Sequence, residues 1–307
     1  MSSTLTLSQQ VERFVRTKTN QQTRKWYTNY LQPLVTYFGP QRTPDSISFA
    51  DAEDYWLQLQ SRNRAWETHP NKPTQRRRLS PTTLQNYLRA TRSFWRYLHR
   101  QRLVEDNVFA HLSAPKDSRP MQMKAIDPDD LQAIWQTARR TSARDYAIIT
   151  VVATCGLRAG ELISMDTQRL DIQQGVAWVE GKRGWRKIFL GQASVEAIAN
   201  YLPERPLNAP TALWLSVTGQ PLTSDGVRQM VERLARKAKV KGRYNLHSFR
   251  HRTAQAWLDK GVNAEVVAQA LGHANVSITL AIYGNQDEKR VRKAMQEMEM
   301  SVFSQSK

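Results

Sequence analysis

Apolar residues recur at helical spacing through the first third of the chain, with polar residues between them. This pattern predicts amphipathic helices that each bury one face. Gly39-Pro40 ends the second helix, a third is predicted after Ser48, and Ser80-Pro81 supplies the N-cap and first turn of the fourth. The positions that define these faces are Leu7, Val11, Phe14 and Val15, then Trp26, Tyr27, Tyr30, Leu31, Leu34, Tyr37 and Phe38, then Leu84, Tyr87, Leu88, Thr91, Phe94, Trp95 and Leu98.

The pattern changes in the rest of the chain. Asp127-Pro128 predicts a helix start, and residues 143–154 are nearly all apolar, which indicates a buried helix. Around residues 170–190 the apolar period becomes two, and the turn Gly181-Lys182-Arg183-Gly184 predicts a β-hairpin. Further helices are predicted at 224–239, 248–260 and 264–271.

Two polar segments interrupt the apolar pattern. Residues 61–79 predict a basic loop. Residues 114–126 are polar and contain prolines, which predicts a linker between two domains, 1–113 and 127–307. The length of 307 residues agrees with this division, because it exceeds one ordinary core.

Charge indicates the class of partner. The net charge is +18 and the pI about 10.3. Such an excess favours a nucleic acid, with a solvated basic surface as the alternative. The predicted DNA contacts are Arg89, Arg92 and Arg96 on the polar face of the fourth helix, and Arg76, Arg77 and Arg78 in the basic loop. The alternative for the helix is an ordinary polar surface.

Cysteine usage and the N-terminus exclude other classes. Cys155 is the only cysteine, so the chain has neither an internal disulfide nor a cysteine-based zinc ribbon. The N-terminus lacks the apolar core of a secretion signal, and no stretch is long enough to span a bilayer. A cytoplasmic protein with no membrane partner is expected.

Two arginines in the second half have companions suited to phosphate chemistry. Arg158 follows the buried helix, and Glu161 can hold its guanidinium. His247 lies three residues before Arg250, hence on the same face if the helix has begun. Two guanidinium groups can stabilise a pentacoordinate phosphorus as two metal ions do elsewhere. The alternative for Arg158 is a structural pair with Glu161.

A nucleophile and an acid are also available. Tyr283 can attack phosphorus if a base or positive charge activates its hydroxyl. Lys182, at the tip of the hairpin, can protonate a leaving oxygen. An ordinary half-buried tyrosine and a plain turn lysine are the alternatives, and Arg183, Arg186 and Lys187 are rivals for the role of Lys182.

The spacing of His247 and His251 is one used by metal ligands. The zinc-protease pattern requires glutamate where this chain has Ser248, and no cysteine cluster lies nearby. Neither a metal nor a cofactor is therefore predicted.

The ordered motifs resemble the tyrosine recombinase family of phage integrases and Xer recombinases. They are Gly156-Leu157-Arg158-Ala159-Gly160-Glu161-Leu162, Leu246-His247-Ser248-Phe249-Arg250-His251, Leu271-Gly272-His273 and Ala281-Ile282-Tyr283-Gly284. The resemblance is strongest over 145–284 and weaker over 11–116. It implies a catalytic set of Arg158, Lys182, His247, Arg250, His273 and the nucleophile Tyr283, with Glu161 in support.

The resemblance also implies the fold and the reaction. The fold is mainly α (α+β), with an N-terminal four-helix core-binding (SAM-like) domain and an α-helical catalytic domain that contains a small antiparallel β-sheet. The reaction passes through a 3′-phosphotyrosyl bond and a Holliday junction without metal or ATP. The implied partners are double-stranded DNA with an inverted-repeat core site and three more copies of the chain in a tetramer on two DNA sites. The resemblance leaves open whether accessory proteins take part.

The C-terminal segment is expected to dock on a neighbouring protomer in that tetramer. Val291, Met295, Met298 and Val302 share one helical stripe there. Packing on its own domain is the alternative.

The biological role has two readings. The ten residues from His273 to Tyr283 match many integrases of mobile elements, whereas many Xer proteins have one fewer. This favours integration, excision or resolution for a mobile element or replicon. Residues 104–126 resemble the Xer interdomain linker and support chromosome or plasmid dimer resolution. A topoisomerase IB-like relaxase and a non-catalytic DNA-binding regulator are the rivals from other classes.

Overall fold

A computed structural model gives the fold of this chain. It describes residues 5–62, 64–65, 75–76, 78–116 and 125–272. The chain divides into two compact units, residues 1–119 and 120–307, and each unit has an apolar core of its own.

Four α-helices, a 3-10 turn at Pro44–Ser46 and two short strands form the regular structure in the described part of the first unit. The helices are α1 Leu7–Arg16, α2 Gln21–Phe38, α3 Phe49–Ser61 and α4 Pro81–Arg100. Ser48 and Ser80 cap α3 and α4 through their side chains, as the sequence predicts. Gly39 ends α2 with a φ of 85°, a value that glycine tolerates best. The core forms around Phe14, Phe94 and Trp95.

The segment predicted as a basic loop contains two short strands. Strand β1, Arg64–Ala65, pairs antiparallel with β2, Gln75–Arg76. Each strand is only two residues long, so an alternating sequence pattern cannot reveal it.

The second unit places helices around a small sheet. Its helices are α5 Pro128–Arg139, α6 Ala143–Cys155, α7 Ala159–Ile163, α8 Gln192–Tyr201, α9 Ser224–Lys237, α10 Leu246–Asp259 and α11 Ala264–Leu271. Its strands are β3 Leu170–Asp171, β4 Val176–Gly181 and β5 Gly184–Phe189, all antiparallel in the order β3-β4-β5. The predicted mainly α fold with a small antiparallel sheet is confirmed.

Helix α6 runs through the core of this unit. Its residues Ala147–Val152 are all buried, which explains why its sequence is apolar on every side. Gly156 ends it in the left-handed region at φ 59°. A Cβ at this position would lie 2.6 Å from Leu271 Cδ2, so the glycine lets α11 pack against the end of α6.

The structure differs from the predicted elements at three helices. Helix α7 follows Arg158 and was not predicted, because five residues carry no detectable period. Helix α8 was also missed; its N-cap is Gly191, which has no side chain to cap the backbone. Helix α10 begins at Leu246, two residues before the predicted start. Among the described helices, none is both long and apolar enough to cross a membrane.

Candidate active site

A buried carboxylate organises the candidate site. Arg158 is the N-cap residue of α7, and Glu161 lies in the first turn of that helix. Glu161 Oε2 accepts a hydrogen bond from the backbone N–H of Arg158 at 2.9 Å, and Oε1 accepts one from Arg158 Nη1, also at 2.9 Å. The Glu161 side chain is only 2% exposed. The sequence thus folds back locally so that Glu161 fixes both the backbone and the guanidinium of Arg158.

Two more arginines reach the same carboxylate from other elements. Arg186 on β5 donates from Nε to Oε1 at 3.3 Å and from Nη2 to Oε2 at 3.2 Å. Arg250 on α10 places Nη1 3.8 Å from Oε2. Burial alone raises the pKa of Glu161. The hydrogen bonds from Arg186 and from the Arg158 backbone, together with the charges of both arginines, lower this pKa by more than burial raises it. The net effect is a lowered pKa, so Glu161 is ionised at neutral pH.

The three arginines also bind three successive carbonyl oxygens at the end of α11. Arg186 Nη1 donates to Ala270 O at 2.8 Å, Arg250 Nη2 to Leu271 O at 2.6 Å, and Arg158 Nη2 to Gly272 O at 3.2 Å. The last carbonyls of a helix have no partners within the helix and attract cations. The chain direction immediately before His273 is therefore set by the arginine cluster.

Helix α10 places His247 and Arg250 together at its N-terminal end. Asn245 caps the helix, so both residues lie within it and share a face. Arg250 is 4% exposed and also donates from Nη1 to Gly156 O at 2.7 Å. The pKa of His247 is lowered by burial first, then by the charges of Arg250 and Arg158. A neutral imidazole beside two arginines can accept a proton at neutral pH.

His251 follows one turn later on α10. Its pKa is also lowered, mainly by burial and then by His247, Arg250 and Arg243. Across the described ranges, histidine, cysteine and carboxylate side chains form no group of three or more that could hold a metal ion.

Lys182 lies at the exposed tip of the β4–β5 turn. The base of this turn lies beside the cluster, since a Cβ added at Gly181 would be 3.3 Å from Glu161 Oε1. The hairpin is also held by the backbone N–H of Glu180, which donates to Ser164 Oγ at 2.7 Å. The fold thus brings the base of the turn that carries Lys182 next to the arginine cluster.

The structure brings together four of the residues predicted from sequence: Arg158, Glu161, His247 and Arg250. His273 and Tyr283 lie outside the described residues, as do Val291, Met295, Met298 and Val302. The roles predicted for these residues stay predictions.

The predicted DNA contacts of the first unit differ in their surroundings. Arg89, Arg92 and Arg96 line one cleft beside α4. Arg89 stacks on Trp26 with its guanidinium carbon 5.2 Å from the ring centroid, and Arg96 is exposed. Arg92 instead donates to the backbone carbonyls of Phe109, Ala110 and Leu112, so its guanidinium holds the chain that follows α4.

The basic loop is described only in part. Arg76 lies in β2, Arg78 is exposed before α4, and Arg77 lies outside the described residues. A role of these arginines in DNA binding remains a prediction.

The sequence alone indicates Arg186 only as a rival to Lys182. A usable signal was the alternation of the hairpin, because Arg186 pairs with Val179 and faces inward with Ala177 and Ile188. A charged residue at an inward strand position needs a buried partner. That partner, Glu161, is distant in sequence and only the fold identifies it.

The helical second unit, its small sheet and the arginine cluster define a protein of the tyrosine recombinase class. The family model described as Phage integrase family matches residues 124–290. The XerC tyrosine recombinase of Salmonella typhi is 32% identical over 67% of this chain and 70% of that protein. The XerC protein of Bacillus pumilus is 28% identical over 91% of each chain. The chain therefore belongs to the phage integrase family, the tyrosine recombinases, and the predicted family is confirmed.

Solved structures agree on the fold. The Tn1549 transposon integrase in complex with transposon right end DNA superposes with a TM-score of 0.74 at 19% identity, covering 96% of this chain and all 100% of that one. XerH recombinase bound to its palindromic difH substrate gives a TM-score of 0.70 at 19% identity, covering 95% and 85%. Both comparisons extend over nearly the whole of this chain, including both of its units.

Proposed function

We propose that this chain is a site-specific DNA recombinase that cuts and rejoins DNA strands through a covalent bond to Tyr283. The observation that carries the proposal is the meeting of Arg158 and Arg250 at the buried carboxylate of Glu161, with His247 in the same turn as Arg250. Two fixed guanidinium groups can bind both non-bridging oxygens of a phosphodiester and stabilise added negative charge. The neighbouring neutral histidine supplies a base.

The proposed cleavage step is a transfer of the phosphoryl group to tyrosine. The Tyr283 oxygen attacks phosphorus and gives its proton to His247, while the bond from phosphorus to the 5′ oxygen breaks. Lys182 gives a proton to that leaving oxygen. Arg158, Arg250 and His273 stabilise the transition state. The 3′-phosphotyrosyl product keeps the energy of the phosphodiester, so the 5′-hydroxyl of a partner strand can reverse the step and join a new strand.

The proposed assembly contains four protomers on two DNA sites with inverted-repeat cores. Each protomer binds one half-site through its two units, and residues 1–113, 114–126 and 127–307 act as core-binding domain, linker and catalytic domain. The C-terminal segment docks on a neighbouring protomer. The high positive charge of +18 supports DNA as the partner, because each phosphate contact adds to affinity.

Two biological roles fit this reaction. The spacing of ten residues between His273 and Tyr283 supports integration, excision or resolution for a mobile element or replicon. The XerC names of curated relatives support chromosome or plasmid dimer resolution. Selection of bound DNA from a random library separates the roles, because the selected core can be matched to a chromosomal resolution site or to the ends of an element.

The reaction itself is tested on a nicked suicide half-site selected in this way. Wild type should form a protein–DNA adduct that resists denaturation, and Tyr283→Phe should form none while binding the same DNA. An adduct that survives Tyr283→Phe assigns the wrong nucleophile. A chain that relaxes plasmids lacking any site acts instead as a topoisomerase IB-like relaxase.

A further inference from the structure

Arg186 joins three elements of the candidate site with one side chain. From β5 it uses Nε and Nη2 on the Glu161 carboxylate of α7, and Nη1 on the Ala270 carbonyl of α11. Its side chain is 20% exposed. All three nitrogen atoms of the guanidinium are engaged, a geometry that the single ammonium of lysine cannot reproduce.

The close fit continues at the end of α11. Gly272 has a φ of 66°, and a Cβ added there would lie 2.9 Å from Arg186 Nε and 3.1 Å from its Cδ. Glycine is therefore needed for two reasons, the left-handed backbone and the space that Arg186 fills. The segment immediately before His273 is shaped around this side chain.

The proposed function gives Arg158 and Arg250, but not Arg186, the further role of binding the scissile phosphate. Both donate to carbonyls of Leu271 and Gly272 here, and a scissile phosphate would compete for their N–H groups. When their N–H groups engage the phosphate in place of these carbonyls, the end of α11 needs another anchor. Arg186 provides one, because its contacts with Glu161 and Ala270 do not depend on either of the other arginines.

We propose that Arg186 is a positioning residue for strand cleavage, which holds Glu161 and the C-terminal end of α11 in place while Arg158 and Arg250 engage the scissile phosphate. The inference rests on the proposed function. It assigns no contact between Arg186 and DNA, and it separates Arg186 from the role of leaving-group acid proposed for Lys182.

The chain offers a matched control. Asp145 is a second buried carboxylate bound by two arginines, with Arg233 Nη2 at 2.5 Å and Arg144 Nη2 at 2.8 Å. Asp145 lies in the first turn of α6, whereas Gly156, which Arg250 contacts, follows the last turn. Arg233→Met thus removes an arginine from a buried carboxylate at the far end of the helix.

The experiment compares wild type, Arg186→Met, Arg186→Lys and Arg233→Met on the nicked suicide half-site. Single-turnover adduct formation and DNA affinity are measured well below the melting temperature of each protein, and thermal unfolding is recorded. We expect Arg186→Met to lose at least as much thermal stability as Arg233→Met, because Arg186 makes more hydrogen bonds and is less exposed. Both variants should keep the DNA affinity of wild type. Arg186→Met should form adduct about 100-fold more slowly, as for a misplacement of reacting groups. The rate of adduct formation by Arg186→Lys should lie between the rates of Arg186→Met and wild type.

Three results would overturn the inference. An adduct rate of folded Arg186→Met equal to that of folded Arg233→Met would make the contact purely structural. A loss of DNA affinity equal to the loss of rate would make Arg186 a DNA ligand. Recovery of Arg186→Met on a substrate with sulfur as the 5′ bridging atom would make it the leaving-group acid, because a thiolate leaves without a proton. If wild type forms no adduct, the proposed function itself fails.

Discussion

Glu161 Oε1 lies 2.9 Å from Arg158 Nη1 and 3.3 Å from Arg186 Nε, so one oxygen atom links the residue before α7 to strand β5. Among the described residues, Glu161 is the carboxylate that forms ion pairs with Arg158, Arg186 and Arg250 together. Its removal leaves three guanidinium groups close together with their shared partner lost.

Glu161→Gln should therefore lower stability and strand cleavage together. Loss of one partner from a buried ion pair costs about 3 kcal/mol. Because the folded pKa of Glu161 is lowered, its contribution is complete above the unfolded carboxyl value, about 4.3, and is lost as pH falls through the folded pKa. Thermal unfolding measured across a pH series should show that the difference in stability between wild type and Glu161→Gln becomes smaller below about pH 4.3. A difference that is constant down to pH 2 contradicts this account.

The lowered pKa of His247 predicts how the rate of cleavage changes at acid pH. Its folded pKa lies below the ordinary value of about 6.5, so the imidazole is neutral at pH 7 and becomes protonated as pH falls through the folded pKa. Adduct formation should decline over that lower range. His247→Gln should slow it by about 100-fold or more and remove this decline. His251→Gln is the control on the same helix, and it should keep the decline. Equal effects of both changes would not support His247 as the base.

Lys182 is predicted to protonate the 5′ oxygen. Lys182→Ala should slow cleavage by about 100-fold or more on ordinary DNA. The same variant should regain its cleavage rate on a substrate with sulfur as the 5′ bridging atom, because a thiolate leaves without a proton. Lys187→Ala is the matched control, because Lys187 pairs with Trp178 on the exposed face of the hairpin, away from Glu161. If the sulfur substrate does not restore cleavage by Lys182→Ala, Lys182 is not the leaving-group acid.

Substitution of Arg92 should mainly change the stability of the first unit, and substitution of Arg96 should mainly change DNA affinity. Arg92→Met removes hydrogen bonds to three backbone carbonyls and should destabilise this unit by about 1–3 kcal/mol. Arg96→Met should leave stability unchanged, weaken half-site binding and reduce its salt dependence by about one phosphate contact. The measurements are thermal unfolding and binding across a salt series. An unchanged salt slope for Arg96→Met would remove it from the DNA interface.

Local signals were sufficient for most of the helices. Ser48 and Ser80 cap the helices that the sequence assigned to them, because capping depends on residues within one turn. The hairpin turn between Gly181 and Gly184 also follows from local alternation and glycine. Helix α8 was missed because Gly191 gives no side-chain cap, and β1 and β2 because two residues have no period.

The sequence by itself determined the helical class, the basic charge and the candidates Arg158, Glu161, His247 and Arg250, since each depends on composition or on neighbours within a few positions. Only the tertiary structure decided that Arg186 reaches Glu161 across 25 residues and Ala270 across 84. It also decided that Arg92 holds the backbone near Leu112. The physical reason is that a buried charge is satisfied by whichever partner the fold brings to it, and that partner leaves no periodic trace in the sequence.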